Sequence, residues 1–285
     1  MNDDDSRVPE KLRVVDAHVH AFPERLEAAV RKWFERHAWR VDDSNFVAGL
    51  AAVDALLSRG VARVWALPYS HAEGVAAALN DFTLALARDR PGRVAPFCTV
   101  LPGEPDARRI LERAFDAGAR GVKLHCHVQR VAADDPRLDD AYALCAERGA
   151  PCVVHAGREP HAEGYGVDTR ALCDVAQLGR VLARHPKLTL VLPHLGYDQQ
   201  DESFALLGDY PGLYLDTTMA LAGFLTPPPP PEVLARHASR LLYGSDFPRL
   251  PYAWDVELRK LVAAGLPPEA LELILHGNAD RLVPA

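Results

Sequence analysis

Arg13-Val14-Val15-Asp16-Ala17-His18-Val19-His20 is a largely apolar run that ends in two histidines one residue apart. Alternate side chains of an extended strand share a face, so we expect Asp16, His18 and His20 to point the same way. Two imidazoles at the end of a rigid strand supply half of a metal site, because neutral imidazole is a common ligand for divalent ions. The run therefore predicts a first strand and a metal-dependent enzyme.

Short β-branched runs alternate with longer segments rich in Ala, Leu and Arg along the rest of the chain. The predicted strands are residues 13–18, 61–67, 93–100, 120–125, 151–155, 188–193, 212–216 and 240–244. The predicted helices include residues 48–58, 73–88, 105–116, 136–148, 169–184, 231–238, 252–264 and 268–275. This alternation favours a parallel sheet closed into a (β/α)8 TIM barrel. An open doubly wound sheet is the competing fold, but no Gly-x-Gly-x-x-Gly turn follows an early strand.

The length of 285 residues suits a single domain, since a barrel of this kind takes about 250 residues. We assign residues 11–285 to the barrel and the polar, acidic residues 1–10 to a disordered N-terminal tip. Hydrophobic residues make up 48% of the chain, which is enough for a large core. The net charge of −7 and the absence of a basic run argue against nucleic-acid binding.

The composition favours a cytoplasmic protein. The first ten residues hold no hydrophobic signal core, and no stretch approaches the ~18 consecutive apolar residues of a membrane span. The five cysteines form no Cys-x-x-Cys pair and several lie inside apolar runs, which favours a reduced compartment. The expected partner is a small-molecule substrate, with no nucleic acid and no membrane. The sequence leaves open whether the chain forms a homo-oligomer.

Chemistry-bearing side chains also follow later strands. The fifth predicted strand ends in His155, the sixth is followed by His194 and the eighth by Asp246. In a (β/α)8 barrel the carboxyl ends of the strands build the active site, so these residues are expected to meet the first two histidines. A single histidine at a strand end is more often structural. Four strand ends that carry His or Asp, one of them doubled, predict a metal site.

Five motifs occur in the order seen in the amidohydrolase superfamily. They are Asp16-Ala17-His18-Val19-His20, Gly121-Val122-Lys123-Leu124-His125, His155-Ala156-Gly157, Pro193-His194-Leu195-Gly196 and Gly244-Ser245-Asp246-Phe247-Pro248. The chain most resembles the amidohydrolase-related branch that contains the aminocarboxymuconate-semialdehyde decarboxylase-like enzymes. The segment 277–282 resembles the closing segment of that branch. The resemblance spans nearly the whole chain.

The resemblance implies roles for the matching residues. The ligands of one divalent ion would be His18, His20, His155 and Asp246. Zinc is the default ion, and manganese, iron or cobalt would fit the same donors. Asp246 would also pass a proton from the activated water to the leaving group, and His194 would orient or deprotonate that water or polarise the substrate. Asp16 is either a carboxylate that accepts the second N–H of a ligand histidine or a polar residue at a strand start.

Lys123 and His125 share one face of the fourth predicted strand. In binuclear relatives a lysine at this position is carboxylated and bridges two metals, an arrangement that we disfavour here. We expect both residues to contact a substrate carboxylate, since lysine serves as a point charge for anions. Arg158, after strand five, is a candidate anion anchor, with a solvated loop charge as the alternative. The role of His127 stays undecided.

Three functions are compatible with these features. The leading hypothesis is a metal-dependent hydrolase, in which a metal-activated water attacks an amide, ester or lactone bond of a small anionic substrate. The second is a non-oxidative metal-dependent decarboxylase or related lyase that acts on an aromatic or dienoic acid. The third, a non-catalytic ligand-binding barrel, is disfavoured because every expected ligand and the proton shuttle are present. The residues at the strand ends do not distinguish a hydrolase from a decarboxylase, because one fold hosts many chemistries.

Overall fold

The computed structural model describes residues 7–45, 50–159 and 163–285. Eight parallel strands pair in chain order from β1 to β8. Their bounds are β1 Val15–Val19, β2 Arg63–Ala66, β3 Val94–Cys98, β4 Gly121–His125, β5 Pro151–His155, β6 Thr189–Leu192, β7 Leu213–Asp216 and β8 Leu241–Leu242. Each strand overlaps the run predicted for it, because a strand of a parallel sheet is buried on both faces and reads as a continuous apolar stretch.

Hydrogen bonds between β1 and the segment that follows β8 close the sheet. The N–H of Ala17 donates to the C=O of Tyr243 at 2.9 Å, and the N–H of His20 donates to the C=O of Phe247 at 2.9 Å. The eight strands of the described residues therefore form a nearly closed barrel. The chain is therefore a single-domain (β/α)8 TIM barrel, which confirms the predicted fold class.

Helices connect the strands and cover the outside of the barrel. The α-helices of the described residues are α1 Glu24–His37, α2 Leu50–Ser58, α3 Ala76–Asp89, α4 Ala107–Asp116, α5 Cys126–Gln129, α6 Asp139–Arg148, α7 Thr169–Leu172, α8 Val175–Arg184, α9 Gln200–Asp209, α10 Pro231–His237, α11 Val256–Ala263, α12 Pro268–Glu272 and α13 Asn278–Leu282. Residues 48–49 of the helix predicted over 48–58 lie outside the described residues. In the described ranges, every helix is too short or too polar to cross a membrane.

The helix predicted over residues 169–184 is two helices in the structure. The carboxylate of Asp168 accepts a hydrogen bond from the N–H of Arg170, and that of Asp174 accepts one from the N–H of Ala176. Each aspartate therefore caps the start of its own helix, α7 or α8. Helix α1 is not among the named predictions, although its apolar residues recur at helical spacing along 26–34.

Large apolar side chains fill the inside of the barrel. Val15 and Ala17 of β1 belong to the same buried cluster as Trp65 and Phe97, whose rings stack with centroids 5.0 Å apart. A Cβ on Gly121 would lie 2.3 Å from Cε1 of Phe97, so only glycine fits at the start of β4. Because the interior is filled, ligands can enter only at the mouth formed by the carboxyl ends of the strands.

The N-terminal tip differs from its prediction where the structure describes it. Residues 1–6 lie outside the described residues. Val8, however, is buried, and its N–H donates to the C=O of Arg59 at 2.9 Å. Its Cβ would lie 3.2 Å from a Cβ on Gly60, so the two backbones are in close contact. The packed chain therefore begins before residue 11, because Val8 covers the end of α2.

A buried carboxylate joins α11 to the segment that follows β7. Glu257 is 0% exposed and accepts hydrogen bonds from the N–H groups of Leu221 and Ala222, both at 2.8 Å. The hydroxyl of Tyr252 donates a third bond at 2.9 Å. Burial raises the pKa of Glu257 to about 7, and these hydrogen bonds offset only part of that effect.

The substitution Glu257→Gln is expected to change how stability depends on pH. The pKa of Glu257 rises from 4.5 to about 7 on folding, so the folded protein binds this proton more tightly within that window. As pH rises through the window, the group lowers the free energy of unfolding by about 3 kcal/mol. The variant has no carboxyl group at this position, so its free energy of unfolding is expected to lack this decrease between pH 4.5 and about 7. Urea denaturation of both proteins below, within and above the window measures it, and parallel pH profiles would contradict the expectation.

Candidate metal centre

Three predicted metal ligands meet at the mouth of the barrel. The Nε2 of His20 lies 3.1 Å from the Oδ1 of Asp246, and the Nε2 of His18 lies 3.5 Å from the same oxygen. The ligand atoms of these three side chains all lie within 4.8 Å of one another. They meet because the segment after β8 runs beside β1, where the N–H of Asp246 donates to the C=O of His18 at 2.9 Å.

Hydrogen bonds determine which nitrogen of each ring carries the proton. The Nδ1 of His20 lies 2.8 Å from the C=O of Leu67, which can only accept, so this nitrogen carries the hydrogen. The Nδ1 of His18 lies 2.8 Å from the carboxylate of Asp216, which places its hydrogen in the same way. Burial lowers the pKa of His20 to about 3, so its ring is neutral. When both rings are neutral and carry their hydrogen on Nδ1, both Nε2 atoms direct a lone pair toward Asp246.

The third member of the cluster is an anion. Burial alone would raise the pKa of Asp246, but positive charge beside the carboxylate outweighs burial and holds that pKa below its usual range. Where the neighbouring rings are neutral, a bound cation would supply that charge. Two lone pairs and a carboxylate oxygen therefore converge, and such an arrangement is unfavourable unless a cation lies among them. Two imidazoles and a carboxylate are donors that zinc and similar catalytic ions take. The residues present fit a divalent metal ion.

Asp216, at the end of β7, organises this part of the site. One carboxylate oxygen binds the ring of His18, and the other accepts the backbone N–H groups of His194 at 2.9 Å and Thr218 at 3.1 Å. A carboxylate that fixes the second nitrogen of a ligand histidine sets its tautomer and its orientation. The sequence reasoning missed Asp216, although a carboxylate at a predicted strand end is the same kind of signal that selected the histidines.

Asp16 supports the backbone rather than a ligand ring. Its Oδ1 accepts the N–H groups of His18 at 3.1 Å and Ser245 at 3.0 Å. The pairing of β1 with β2 shifts register between Asp16 and Val19, and Ala17 joins the inner apolar cluster. The strict alternation expected from the sequence therefore fails here, because an irregularity in the strand changes which side chains share a face.

Both predicted catalytic residues have a left-handed backbone. The φ angle is 59° at His194 and 72° at Asp246. Residues with side chains adopt this conformation at a cost of about 1–3 kcal/mol, so surrounding contacts must hold them there. Gly244 supplies the close approach that Asp246 needs, since a Cβ on Gly244 would lie 2.3 Å from Oγ1 of Thr218 and 2.7 Å from Cβ of His18.

His155, the fourth predicted ligand, turns toward a different set of partners. Its Nδ1 lies 3.3 Å from the Nε2 of His194, whose own Nδ1 lies 3.1 Å from the C=O of Thr218. Because the carbonyl takes the hydrogen of His194 Nδ1, the Nε2 of His194 accepts and the Nδ1 of His155 donates. The Nε2 of His155 keeps its lone pair, 3.4 Å from both Glu159 and the hydroxyl of Tyr197.

A second group of imidazoles forms around His155. The rings of His125 and His155 stack with centroids 3.9 Å apart, and the ring of His127 lies 4.8 Å from that of His155. The ligand atoms of these three histidines lie within 4.8 Å of one another. His155 thus belongs to this group rather than to the cluster of His18. The hydrogen bond between its Nδ1 and the Nε2 of His194 holds its ring in this position.

Two chambers adjoin these groups at the barrel mouth. The inner chamber is lined by His20, Phe34, Trp39, Tyr69, His125, His155, Glu159, Tyr165, Tyr197, Asp246 and Arg249. The outer chamber has a volume of about 680 Å³, and its ring-bearing lining residues are Phe22, Trp33, Phe34, Tyr69, His71, His127 and Tyr165. Because Phe34, Tyr69 and Tyr165 line both, the chambers share a wall of aromatic rings.

The predicted substrate residues lie in three different settings. His125 lines the inner chamber. Lys123 is fully buried and lines neither chamber; its Nζ lies 3.4 Å from the Nε2 of His18, and burial lowers its pKa to about 8. Arg158 pairs with Asp174 on a partly exposed surface and also lines neither chamber. Of the two predicted alternatives, a solvated charge on a loop describes Arg158 better than a substrate-binding residue, because its guanidinium already pairs with Asp174.

Arg249 is the arginine that the structure places in the inner chamber. It is 2% exposed, and its Nη2 donates to both oxygens of Glu27 at 2.8 and 3.0 Å. Its Nε and Nη1 are buried without a hydrogen-bond partner in the described part of the chain. Free donors on a buried guanidinium suit a carboxylate ligand. Sequence reasoning passed over Arg249, although it directly follows the Gly244–Pro248 motif.

A (β/α)8 barrel with such a cluster at its mouth is typical of metal-dependent enzymes. A sequence model of the amidohydrolase family matches residues 15–285, and the chain belongs to that family. This confirms the superfamily resemblance read from the motifs. No curated protein gives a significant match to the sequence.

Solved structures share the fold. An uncharacterized TIM-barrel protein from Bordetella bronchiseptica is 22% identical, with a TM-score of 0.70 over 95% of this chain and 98% of that one. 4-Oxalomesaconate hydratase from Rhodopseudomonas palustris is 19% identical, with a TM-score of 0.64 over 95% and 96%. A 5-carboxyvanillate decarboxylase from Novosphingobium aromaticivorans, solved with manganese and a nitrobenzoic acid, is 16% identical, with a TM-score of 0.69 over 98% and 99%.

The substitution Asp216→Asn is expected to weaken metal binding. An amide at this position can donate to the Nδ1 of His18 and thereby favour the tautomer that turns a hydrogen toward Asp246. Loss of such a supporting group lowers metal affinity by about 10- to 100-fold. Titration of the chelator-treated protein with Mn²⁺ measures the effect. Asp255→Asn, at a buried aspartate that pairs with Arg259, is the control and is expected to bind Mn²⁺ like the wild type. Equal affinities for all three proteins would refute the role of Asp216.

Proposed function

We propose that this protein is a metal-dependent, non-oxidative decarboxylase, or a closely related lyase, that acts on an aromatic or conjugated carboxylic acid. The observation that carries the proposal is the position of Arg249. Arg249 lines the same inner chamber as His20 and Asp246, and its Nε and Nη1 are buried donors without a hydrogen-bond partner in the described residues. A substrate carboxylate would therefore have a guanidinium on one side and the metal ligands on another.

The aromatic lining of both chambers suits a planar acid, and the room for its ring lies in the outer chamber. Aromatic rings dominate the wall that the two chambers share, and aromatic rings bind one another by offset stacking or edge-to-face contact. The outer chamber, about 680 Å³, has the size of a small-molecule site. Burial raises the pKa of Tyr69 to about 12, so this shared residue offers a neutral hydroxyl and an apolar ring.

The structural neighbours support the lyase class. One is a decarboxylase solved with manganese and a substituted benzoic acid, and another is a hydratase. At these identities the likeness establishes the fold, and the chemistry of this chain's own chambers must carry the assignment.

Each group of residues at the barrel mouth has a proposed role. His18, His20 and Asp246 would hold the ion, which when bound would supply Lewis-acid polarisation of the substrate's oxygen atoms. Zinc and manganese both fit these donors. Arg249 would orient the substrate carboxylate through its two free donor positions. The aromatic walls would exclude water from the reacting carbon.

Proton delivery falls to the groups nearest the cluster. In decarboxylation the bond between the carboxylate and its carbon breaks, CO2 leaves, and a proton takes its place on that carbon. The Nε2 of His194 is the basic atom of its ring because the C=O of Thr218 holds the hydrogen at Nδ1. His194 and Asp246 are therefore the groups that we propose hold and move the proton.

Hydrolysis of a lactone, ester or amide is the second candidate. The family to which the chain belongs and the anionic state of Asp246 favour it, since a carboxylate can take a proton from an attacking water. The two candidates differ in what they need from Arg249. In a lyase, Arg249 would hold the carboxylate that reacts. In a hydrolase, it would bind an anionic group of the substrate that takes no part in the reaction.

A direct assay separates the candidates. The metal-loaded protein is incubated with a panel of hydroxylated benzoic acids and conjugated dienoic acids, and released CO2 is measured beside the hydrolysis of matched lactones and amides. We expect CO2 release from the acids and no hydrolysis. Hydrolysis of the lactones without CO2 release would replace the lyase assignment by the hydrolase one.

The substitution Arg249→Lys tests the carboxylate contact. Lysine keeps the positive charge beside Glu27 but loses the planar fork. A charged hydrogen bond contributes about 1.5–3 kcal/mol, so kcat/KM for the acid is expected to fall roughly ten- to hundredfold. The variant's thermal unfolding is compared with that of the wild type to show that the pair with Glu27 persists. An unchanged kcat/KM in a folded variant would exclude Arg249 from substrate binding.

A further inference from the structure

Helix α1 turns its apolar side toward the outer chamber. Leu26, Val30 and Trp33 recur at the spacing of one helix face, and all three line this chamber. They are half-buried, whereas Glu27 is the buried residue of α1. An amphipathic helix of a globular protein buries its apolar side against the core. In α1 that side borders open space instead, which a ligand with an apolar body can fill.

The two chambers differ greatly in room. The inner chamber has a volume of about 20 Å³, enough for about one water molecule. The outer chamber has about 680 Å³, whereas a cavity of about 150 Å³ holds a benzene ring. Only the reacting end of a substrate therefore reaches the inner chamber, and a single ring would leave most of the outer chamber unfilled.

The outer chamber has positive charge at its rim. Arg130 lines it, is exposed to solvent and makes no ion pair with the residues that the structure describes. The described residues that line the chamber include no carboxylate, although the whole chain has a net charge of −7. A guanidinium matches the geometry of a carboxylate and can bind both of its oxygens. The rim therefore suits an anionic group.

Backbone and side-chain hydrogen bonds hold Arg130 at this rim. Its φ angle is 52°, and its N–H donates to the C=O of His127 at 3.3 Å, where helix α5 ends. The side chain of Gln129 accepts the N–H of His125 at 2.9 Å and donates to the C=O of Val100 at 2.8 Å. Glycine is the usual residue in such a left-handed position after a helix. An arginine is less favourable there, and it adds a guanidinium to the chamber.

We propose that the substrate is an elongated acid with a second anionic group. Its reacting carboxylate would meet Arg249 in the inner chamber, its apolar body would lie against α1, and a second carboxylate would pair with Arg130. Phe34, Tyr69 and Tyr165, which line both chambers, would contact the body where it passes from one chamber to the other. The reacting end rests on the proposed function, whereas occupation of the outer chamber and the contact with Arg130 do not.

Binding of matched acids tests the second anionic group. The Mn²⁺-loaded full chain is titrated by calorimetry with a biphenyl acid that has a carboxylate at each end, with its monocarboxylic analogue and with benzoic acid. The wild type is expected to bind the diacid about fivefold more tightly than the biphenyl monoacid, as an exposed charge pair allows. Arg130→Gln is expected to remove this preference. Arg109→Gln, at an exposed arginine that lines neither chamber, is the control and is expected to keep it.

Two results would overturn the contact with Arg130. One is equal affinity of the wild type for the two biphenyl acids. The other is an unchanged preference for the diacid in folded Arg130→Gln protein. Because screening by salt weakens a pair between exposed charges, the preference of the wild type is also expected to shrink as ionic strength rises.

Two tryptophan variants of α1 test occupation of the outer chamber. Ala28 and Ala29 are both exposed, but only Ala29 lines the chamber. Ala29→Trp is expected to weaken binding of both biphenyl acids roughly ten- to hundredfold, the contribution of one buried aromatic ring, and to leave benzoic acid unaffected. Ala28→Trp is the matched control and is expected to bind all three acids like the wild type.

Equal affinities of the two tryptophan variants for the biphenyl acids would overturn the occupation of the outer chamber. A wild type that binds the biphenyl acids no more tightly than benzoic acid would overturn it as well. If the biphenyl diacid binds as expected but no acid releases CO2, the proposed lyase is refuted and the elongated ligand stands.

Discussion

The backbone hydrogen bonds between β1 and the segment after β8 are the constraint on which the site depends. The N–H of Asp246 donates to the C=O of His18, and the N–H of His20 donates to the C=O of Phe247. The same bonds close the barrel and bring a carboxylate from the end of the chain against two imidazoles from its start. Gly244 permits this approach, because any side chain there would collide with His18. Closure of the fold and assembly of the metal centre are thus one event.

The positions of the ring hydrogens determine which histidine nitrogens at the site can bind a metal ion or accept a proton. The carbonyl of Leu67 and the carboxylate of Asp216 hold the hydrogens of the two β1 histidines on the side away from Asp246. The carbonyl of Thr218 does the same for His194. Each of these partners can only accept, so each ring turns a lone pair inward. The barrel therefore gathers acceptors where its chemistry requires a cation, and the surrounding core supplies the stability that such a cluster lacks.

The chambers give this common centre its own specificity. One barrel fold hosts many chemistries, so the reaction must be inferred from the side chains that surround the strand ends. The proposed aromatic or conjugated acid substrate rests on a buried guanidinium with unpartnered donors and on a wall of aromatic rings. These features lie on α1 and on the segments after β2, β5 and β8. Such connecting segments vary most readily in a barrel while its strands stay the same.

The sequence by itself determined the eight strands and the placement of His18 and Asp246 at strand ends, because apolar runs and their stops are local signals. Tertiary structure alone decided which side chains meet. The irregularity at Asp16 redirects one face of β1, and alternation cannot foresee it. Asp216 and Arg249 were overlooked because their roles come from partners distant in the chain. A residue's type can be read from sequence, but its neighbours depend on strand register and barrel closure.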